Sequence, residues 1–248
     1  MNLKTTTNFC FLSGVKRAFY CLWFLFVSVT LSAENIHPDN LNLKEIIQRM
    51  ENTYANSGTY SDSGVVKIIF SGSVNIIVEK PFTTAFIRPD RFRYAFKEKK
   101  ADGRDQIFII HLKGKEVQTY WDVQKDLKHE SLDRAVASAA GVSSGTAITV
   151  PGMLLPNEIT WRRAIRFNQP KRIDDEVLDN ADCFRVQDII LNNLTTLWID
   201  KKTFLLRKIS REQLFDDFRA QETTTYIPNL NGEVTNDLLK FNPPKRER

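Results

Sequence analysis

Between residues 42 and 54 the apolar positions Leu43, Ile46, Ile47, Met50 and Tyr54 recur at intervals of three and four. That spacing predicts an amphipathic helix with one buried stripe. Asn42 suits its N-cap, and Gly58 ends the pattern. The period then drops to two. Val66, Ile68 and Phe70 fall on one face, Ser71-Gly72-Ser73 turns the chain, and Val74, Ile76 and Val78 share the next face. In residues 91–97 (RFRYAFK) aromatic positions alternate with mostly cationic ones. Asp102-Gly103 marks a turn, 107–112 is apolar on both faces except at His111, and Gly114-Lys115 leads into 117–121. Strands joined in succession by short turns predict an antiparallel sheet with one wet and one apolar face.

The alternation stops over residues 131–160. Ser131 caps a helix at 132–140, a Gly/Ser/Thr stretch follows at 141–146, and 150–156 (VPGMLLP) reads as a short apolar turn. Such a segment is either a disordered insertion or a cover that packs over the sheet. Met153, Leu154 and Leu155 favour the cover, because a solvated loop has no use for them. Strands resume at 183–190, 194–199 and 204–209, with a turn at 200–202. Segments 223–227 and 238–241 complete the sheet before Pro243-Pro244. No repeat of fixed period and no internal boundary interrupts this order. The expected class is mainly β (α+β).

The N-terminus changes how the composition reads. Lys4, Lys16 and Arg17 precede an apolar run at 18–31, and Ser32-Ala33 closes it before Glu34. This is the layout of a secretory signal peptide. The apolar run holds 14 residues, fewer than the roughly 18–20 that span a bilayer. Cleavage after Ala33 is therefore favoured over retention as an anchor, and no lipid-attachment signal surrounds Cys21. The whole chain of 248 residues has 35 Lys+Arg against 30 Asp+Glu, a formal +5. Without residues 1–33 the count is 32 against 30, a net +2. That near-neutral balance argues against a nucleic-acid partner. Cys10 and Cys21 leave with the signal, so Cys183 stands alone and reads as a half-buried strand residue rather than a reactive thiol.

Short motifs for covalent chemistry are missing from the sequence. The histidines are His37, His111 and His129, in no metal-binding spacing, and no Gly-x-Ser-x-Gly occurs. Asp174-Asp175-Glu176 lacks the spacing of an oxygen-ligand loop, and Asp216-Asp217 reads as a solvated turn. Asn193-Leu194-Thr195 is a glycosylation sequon with meaning only in a eukaryotic secretory route. The expectation is a non-enzymatic protein with no catalytic residues, metal or cofactor.

Several segments in this order resemble one family. Residues 60–70 (YSDSGVVKIIF) resemble its first strand after the helix, and 87–94 (IRPDRFRY) its Arg-Pro motif. Gly114-Lys115 followed by Tyr120 is similar to its next turn. Residues 197–200 (LWID) with 202–209 (KTFLLRKI) resemble its Trp-Ile-Asp-x-x-Thr hairpin, and 239–244 (LKFNPP) its Phe-x-Pro-Pro ending. Over residues 42–244 the chain thus looks like a divergent member of the outer-membrane lipoprotein carrier (LolA-like) superfamily. The Gly141–Thr146 stretch, the charged segment 211–221 and the short tail 245–248 depart from the basic carrier.

The resemblance implies a curved antiparallel sheet forming an incomplete β-barrel, with an N-terminal helix and an inserted helical lid. Residues 1–33 would be the signal peptide and 34–248 a single lipid- or lipoprotein-binding domain, with its lid at about 131–160. The implied ligand is lipoprotein acyl chains or another lipid, held by a monomer in the periplasm. An inner-membrane exporter or signalling protein and an outer-membrane acceptor are the implied partners, for transport or for sensing. Candidate hollow residues are Val66, Ile68, Phe70, Phe92, Tyr94, Phe96, Phe108, Ile110, Trp121, Trp198 and Leu206. Met153, Leu154 and Leu155 belong to the lid. Arg88, in the Arg-Pro position, is either a solvated strand-end residue or the latch whose guanidinium keeps the lid closed.

Overall fold

A computed structural model of the chain describes residues 38–72, 75–100, 102–124, 127–160 and 165–244. The signal-peptide reading of 1–33, Val74 and the tail 245–248 lie outside those residues. After a 3-10 turn at Pro38–Asn40 comes helix α1 (Leu43–Ala55). Its start is fixed by a reciprocal pair: Glu45 N–H donates to Asn42 Oδ1 at 3.0 Å, and Asn42 N–H donates to Glu45 Oε2 at 2.8 Å. Ile46, Met50 and Tyr54 form its buried stripe.

Ten strands make one antiparallel sheet. They are β1 (Thr59–Gly72), β2 (Ile76–Ile87), β3 (Arg91–Lys99), β4 (Asp105–Lys113), β5 (Glu116–Trp121), β6 (Lys171–Leu178), β7 (Ala181–Ile190), β8 (Asn193–Asp200), β9 (Leu206–Leu214) and β10 (Phe218–Leu230). Their spatial order is β5-β4-β3-β2-β1-β10-β9-β8-β7-β6. Two meanders therefore lie side by side, joined where β1 pairs with β10 from Tyr60↔Leu230 to Gly72↔Phe218. Among the described residues β5 and β6 are the outermost strands and do not pair with each other, so the sheet is not closed into a barrel. Edge strand β6 is heavily charged, and its register slips between Ile173 and Glu176.

Helices α2 (Leu132–Ala140) and α3 (Thr146–Leu154) interrupt the chain between the two meanders. Both pack on the face of the sheet that also meets α1. Alternation decides which side chains point there: Phe82 and Phe86 on β2, Phe92, Tyr94 and Phe96 on β3, Phe108, Ile110 and Leu112 on β4. From the second meander come Phe184, Val186, Leu197, Ile199, Leu206 and Ile209. Gly64 has a specific part in this. A Cβ there would stand 2.3 Å from the Phe82 ring and 2.3 Å from Thr225 O, so only glycine lets Phe82 lie across β1.

The structure departs from the sequence expectations in several places. Strand β6 and the second half of β2 were not expected. Residues 150–156 are no turn: they lie mostly in α3, which continues through Pro151. Phe204 is outside β9 and takes a positive φ of 56°. Residues 238–241, expected as the last strand, form a turn and an extended segment. That segment crosses the opposite, convex face of β3 and β4. Arg93 Nε donates to Lys240 O at 3.0 Å, Arg91 Nη2 donates to Asn236 Oδ1 at 2.7 Å, and the Phe241 and His111 rings lie 5.8 Å apart. Leu239 is buried there, while its neighbour Leu238 is 45% exposed.

This strap predicts unequal effects from two adjacent leucines. Leu239→Ala should lower unfolding stability by about 2 kcal/mol or more. Leu238→Ala should stay within about 0.5 kcal/mol of the parent. Urea midpoints of the two variants would check this, and equal shifts would contradict the strap.

Candidate functional site

The concave face carries a continuous run of aromatic rings. Tyr226 on β10 meets Phe82 at 5.4 Å, and Phe82 stacks toward Tyr94 at 6.4 Å. Tyr94 adjoins Phe96 at 6.5 Å, Phe96 stacks on Phe108 at 5.9 Å, and Phe108 reaches Trp121 at 5.6 Å on the edge strand. Cross-strand aromatic pairs of this kind hold a sheet surface rigid and apolar. Phe92, Tyr94, Phe96, Phe108, Ile110 and Leu206 are all buried within this one cluster.

Of the expected hollow residues, Trp198 lies on the other face, while Phe70 and Trp121 lie at the margins of the concave one. Trp198 points to the convex face, away from Leu197 and Ile199; its cross-strand partners are Arg185 and Lys208, and Lys208 Nζ sits 4.2 Å from its ring centroid. The parity of the strand sets this, because the core takes Leu197 and Ile199 instead. Phe70 faces inward but lies beyond the helices and is only half-buried. Trp121 is half-buried and borders a pocket of about 430 Å³ along β5 that also touches Leu127, His129 and Phe241.

The lid is α2 and α3 together. α2 buries Leu132, Ala135, Val136 and Ala139, a stripe spaced for one face, with Ser131 as its cap. α3 is different: all nine of its residues are buried, including Met153 and Leu154, and Leu155 just beyond is buried too. Gly145 begins it at a φ of 82°, a conformation that favours glycine. α3 thus fills the space between α1, α2 and the aromatic sheet as an apolar plug.

Arg88 pins the end of that plug. Its Nε donates to Ser57 O at 2.8 Å, and its Nη2 donates to Ala55 O at 2.7 Å and to Leu154 O at 3.0 Å. The guanidinium also lies 5.0 Å from the Phe86 ring centroid. The last-turn carbonyls of a helix lack partners within the helix, and a fixed fork of cationic donors suits them. One side chain thereby ties the end of α1 to the end of α3. The Arg88 side chain is thus engaged on three carbonyls and is no solvated strand-end residue. At the other end of α3, the Tyr94 and Thr146 hydroxyls lie 2.5 Å apart.

One buried acid was missed in the sequence. Asp62, on the inward face of β1, accepts a hydrogen bond from Tyr60 Oη at 2.8 Å and faces Thr84 across the strand pair. Burial pushes its carboxyl up to about 6 from the ordinary 3.8, while the hydrogen bond from Tyr60 opposes the rise. Tyr60, Tyr94 and Tyr226 are likewise pushed upward by burial. The only sequence signal for Asp62 was an acid in the inward phase of an otherwise apolar strand. Cys183 is buried and its thiol is pushed up to about 11 by burial, which keeps it protonated at neutral pH. Among the described residues no group of three His, Cys, Asp or Glu is placed to hold a metal, and no helix is long and apolar enough to cross a membrane.

No protein-family model matches the chain, nor does any curated protein sequence. Among solved structures it is similar to the Pseudomonas aeruginosa MucA/MucB complex, at 9% identity and a TM-score of 0.42 over 79% of this chain. It spans 60% of that MucB-complex chain. A LolA superfamily protein from Nitrosomonas europaea is similar at 12% identity and a TM-score of 0.32, with 81% of this chain and 98% of that one covered. LprF from Mycobacterium bovis is similar at 10% identity and a TM-score of 0.42, covering 77% and 94%.

Asp62 gives a signed pH dependence. Its folded value lies above the unfolded one, so the fold binds more protons than the unfolded chain between about pH 3.8 and 6. Stability from this group is fully present below that window and is lost as pH rises through it. The loss is on the order of 3 kcal/mol once pH exceeds the folded value. Asp62→Asn should remove that loss, so the stability difference between variant and parent should grow from pH 4 to 6 and then level off. Denaturant unfolding at a series of pH values measures it; a difference that does not vary with pH would refute the assignment.

Proposed function

We propose that this protein is a non-enzymatic binder that holds the acyl chains of a lipid or lipoprotein between the concave sheet and its helical lid. One observation carries the reading: the aromatic face is covered by a wholly buried helix that a single arginine fastens at a carbonyl. The cover is a separate insertion in the chain, so an acyl chain can take its place on the sheet without breaking any strand pairing. Each methylene that leaves water contributes about 0.8 kcal/mol. A chain of a dozen or more carbons therefore offers on the order of 10 kcal/mol before ordering costs. That is enough to offset much of the apolar burial that α3 gives up when the lid moves.

The sequence resemblance adds the setting: export to a periplasm, and membrane-bound donors, acceptors or signalling proteins as the partners. Binding and release both require the lid to open, so the protein alternates between a closed empty form and an open or loaded form.

Purified protein extracted with organic solvent and examined by mass spectrometry should yield co-purified lipid, and a fluorescent fatty acid should bind the emptied protein. Absence of both sinks the proposal. Arg88→Leu should speed release of bound fatty acid while the circular dichroism spectrum stays that of the parent. Arg88→Lys should recover little, since one ammonium cannot span the three carbonyls that the guanidinium reaches.

A further inference from the structure

The concave face continues past the lid. Along β1 the inward positions run from Val66 through Ile68 to Phe70, and only Val66 is fully buried. The registers Phe70↔Ala220 and Gly72↔Phe218 set the β9–β10 hairpin beside them. Phe215 and Phe218 flank that hairpin's turn, 42% and 38% exposed, with ring centroids 4.2 Å apart. Phe218 also meets Phe70 at 6.2 Å. With Ile68, Arg211 and Glu222 these rings line a pocket of about 220 Å³.

Two cations mark the border between this trough and the covered interior. Lys80 Nζ donates to Val142 O at 3.0 Å, and Arg211 Nη1 donates to Ser144 O at 3.2 Å. Both carbonyls belong to the turn that joins α2 to α3. Each cation also has an acid beside it: Glu98 at 3.8 Å from Lys80, and Glu222 at 2.5 Å from Arg211. The turn is thus held by side chains that already have a second partner when the carbonyls leave. Such contacts break at lower cost than ones that would strand a bare charge.

We propose that this aromatic trough is the mouth through which an acyl chain reaches and leaves the hollow, with the α2–α3 turn as its gate. The inference rests on the lipid-binding reading above and gives it a route. Continuity argues for it. Successive inward positions on a strand are about 6.6–6.8 Å apart, so Phe70, Ile68 and Val66 form an apolar track along β1 that leads under the lid. Arg211 stands at the threshold, placed to meet an anionic or ester head group while the tail moves inward. Charge argues against an anionic bilayer as the occupant, because Asp216 and Asp217 occupy the hairpin tip and would be repelled by it.

Stopped-flow uptake and release of an anthroyloxy-labelled stearate by the emptied protein tests this. Phe70→Ser and Phe218→Ser should slow both uptake and release, each roughly tenfold, while the equilibrium Kd changes little. A mouth lowers the barrier in both directions, so the two rates fall together. Arg211→Gln, which weakens the hold on Ser144, should raise both rates. Thermal melts that match the parent show that the variants are folded, as expected for side chains already half in water.

Unchanged rates in the phenylalanine variants overturn the proposal. So does faster release at unchanged uptake, which would make the trough part of the binding site instead of the way in. Sedimentation that shows parent dimers dispersed by Phe218→Ser would assign the face to self-association and overturn it as well. If the parent protein takes up no label at all, the lipid-binding reading has failed, and that is seen before any variant is made.

Discussion

A nine-residue helix with no polar face cannot stand in water, and most of this structure follows from where α3 is kept. Ile148, Val150, Met153 and Leu154 are each buried, and side chains of this size contribute about 1.5–3 kcal/mol apiece when removed from water. Lifting α3 bare would therefore cost on the order of 10 kcal/mol. The hydrogen bonds at its ends, from Arg88, Arg211 and Lys80, contribute about 1–3 kcal/mol each. The apolar term wins. The polar contacts set where the plug sits and in which direction it leaves, while the cost of leaving is set by what replaces it on the sheet.

The aromatic face has the converse need. Phe92, Tyr94, Phe96 and Phe108 would be an unusually large apolar surface if uncovered. Sheet and plug therefore satisfy each other, and α1 closes the remaining side with Ile46, Met50 and Tyr54. Tyr54 makes the join specific, since its hydroxyl accepts the Leu206 N–H at 3.0 Å where β9 begins. Asp62 runs against this economy. Burial disfavours the charged form of its carboxyl, and the hydrogen bond from Tyr60 offsets part of that cost.

Much of this was legible in the sequence wherever one side of an element is wet. The α1 stripe and the RFRYAFK alternation announce themselves because water faces their other side. A helix buried all round has no periodicity, and Val150-Pro151-Gly152 looks like a turn, so α3 was hidden. β6 was hidden for the opposite reason: KRIDDEVL is half-wet on both faces and bulged. Trp198 was misplaced by one residue of phase, which in a strand exchanges the two faces completely. Residues 238–241 alternate like a strand, yet they pair with no neighbour and lie across the convex side. As for Arg88, an Arg-Pro dipeptide names a candidate, but its three carbonyl partners come from Ala55, Ser57 and Leu154, distances in sequence that no local pattern records.

An open sheet of ten strands has two margins of unpaired backbone, each a template on which a second molecule could add a strand. The bulge and the charges of β6 spoil the flat register that such addition requires, and its arginine and acids are engaged sideways, Arg172 with Asp175 and Glu176 with Arg185. At the other margin residues 127–129 run beside β5, where Thr119 Oγ1 donates to Leu127 O at 2.8 Å. Neither border invites polymerisation. The molecule can therefore display two aromatic rings, Phe215 and Phe218, to solvent at one hairpin without its longest hazard, edge-to-edge fibre growth, following from the same openness that leaves its concave side available.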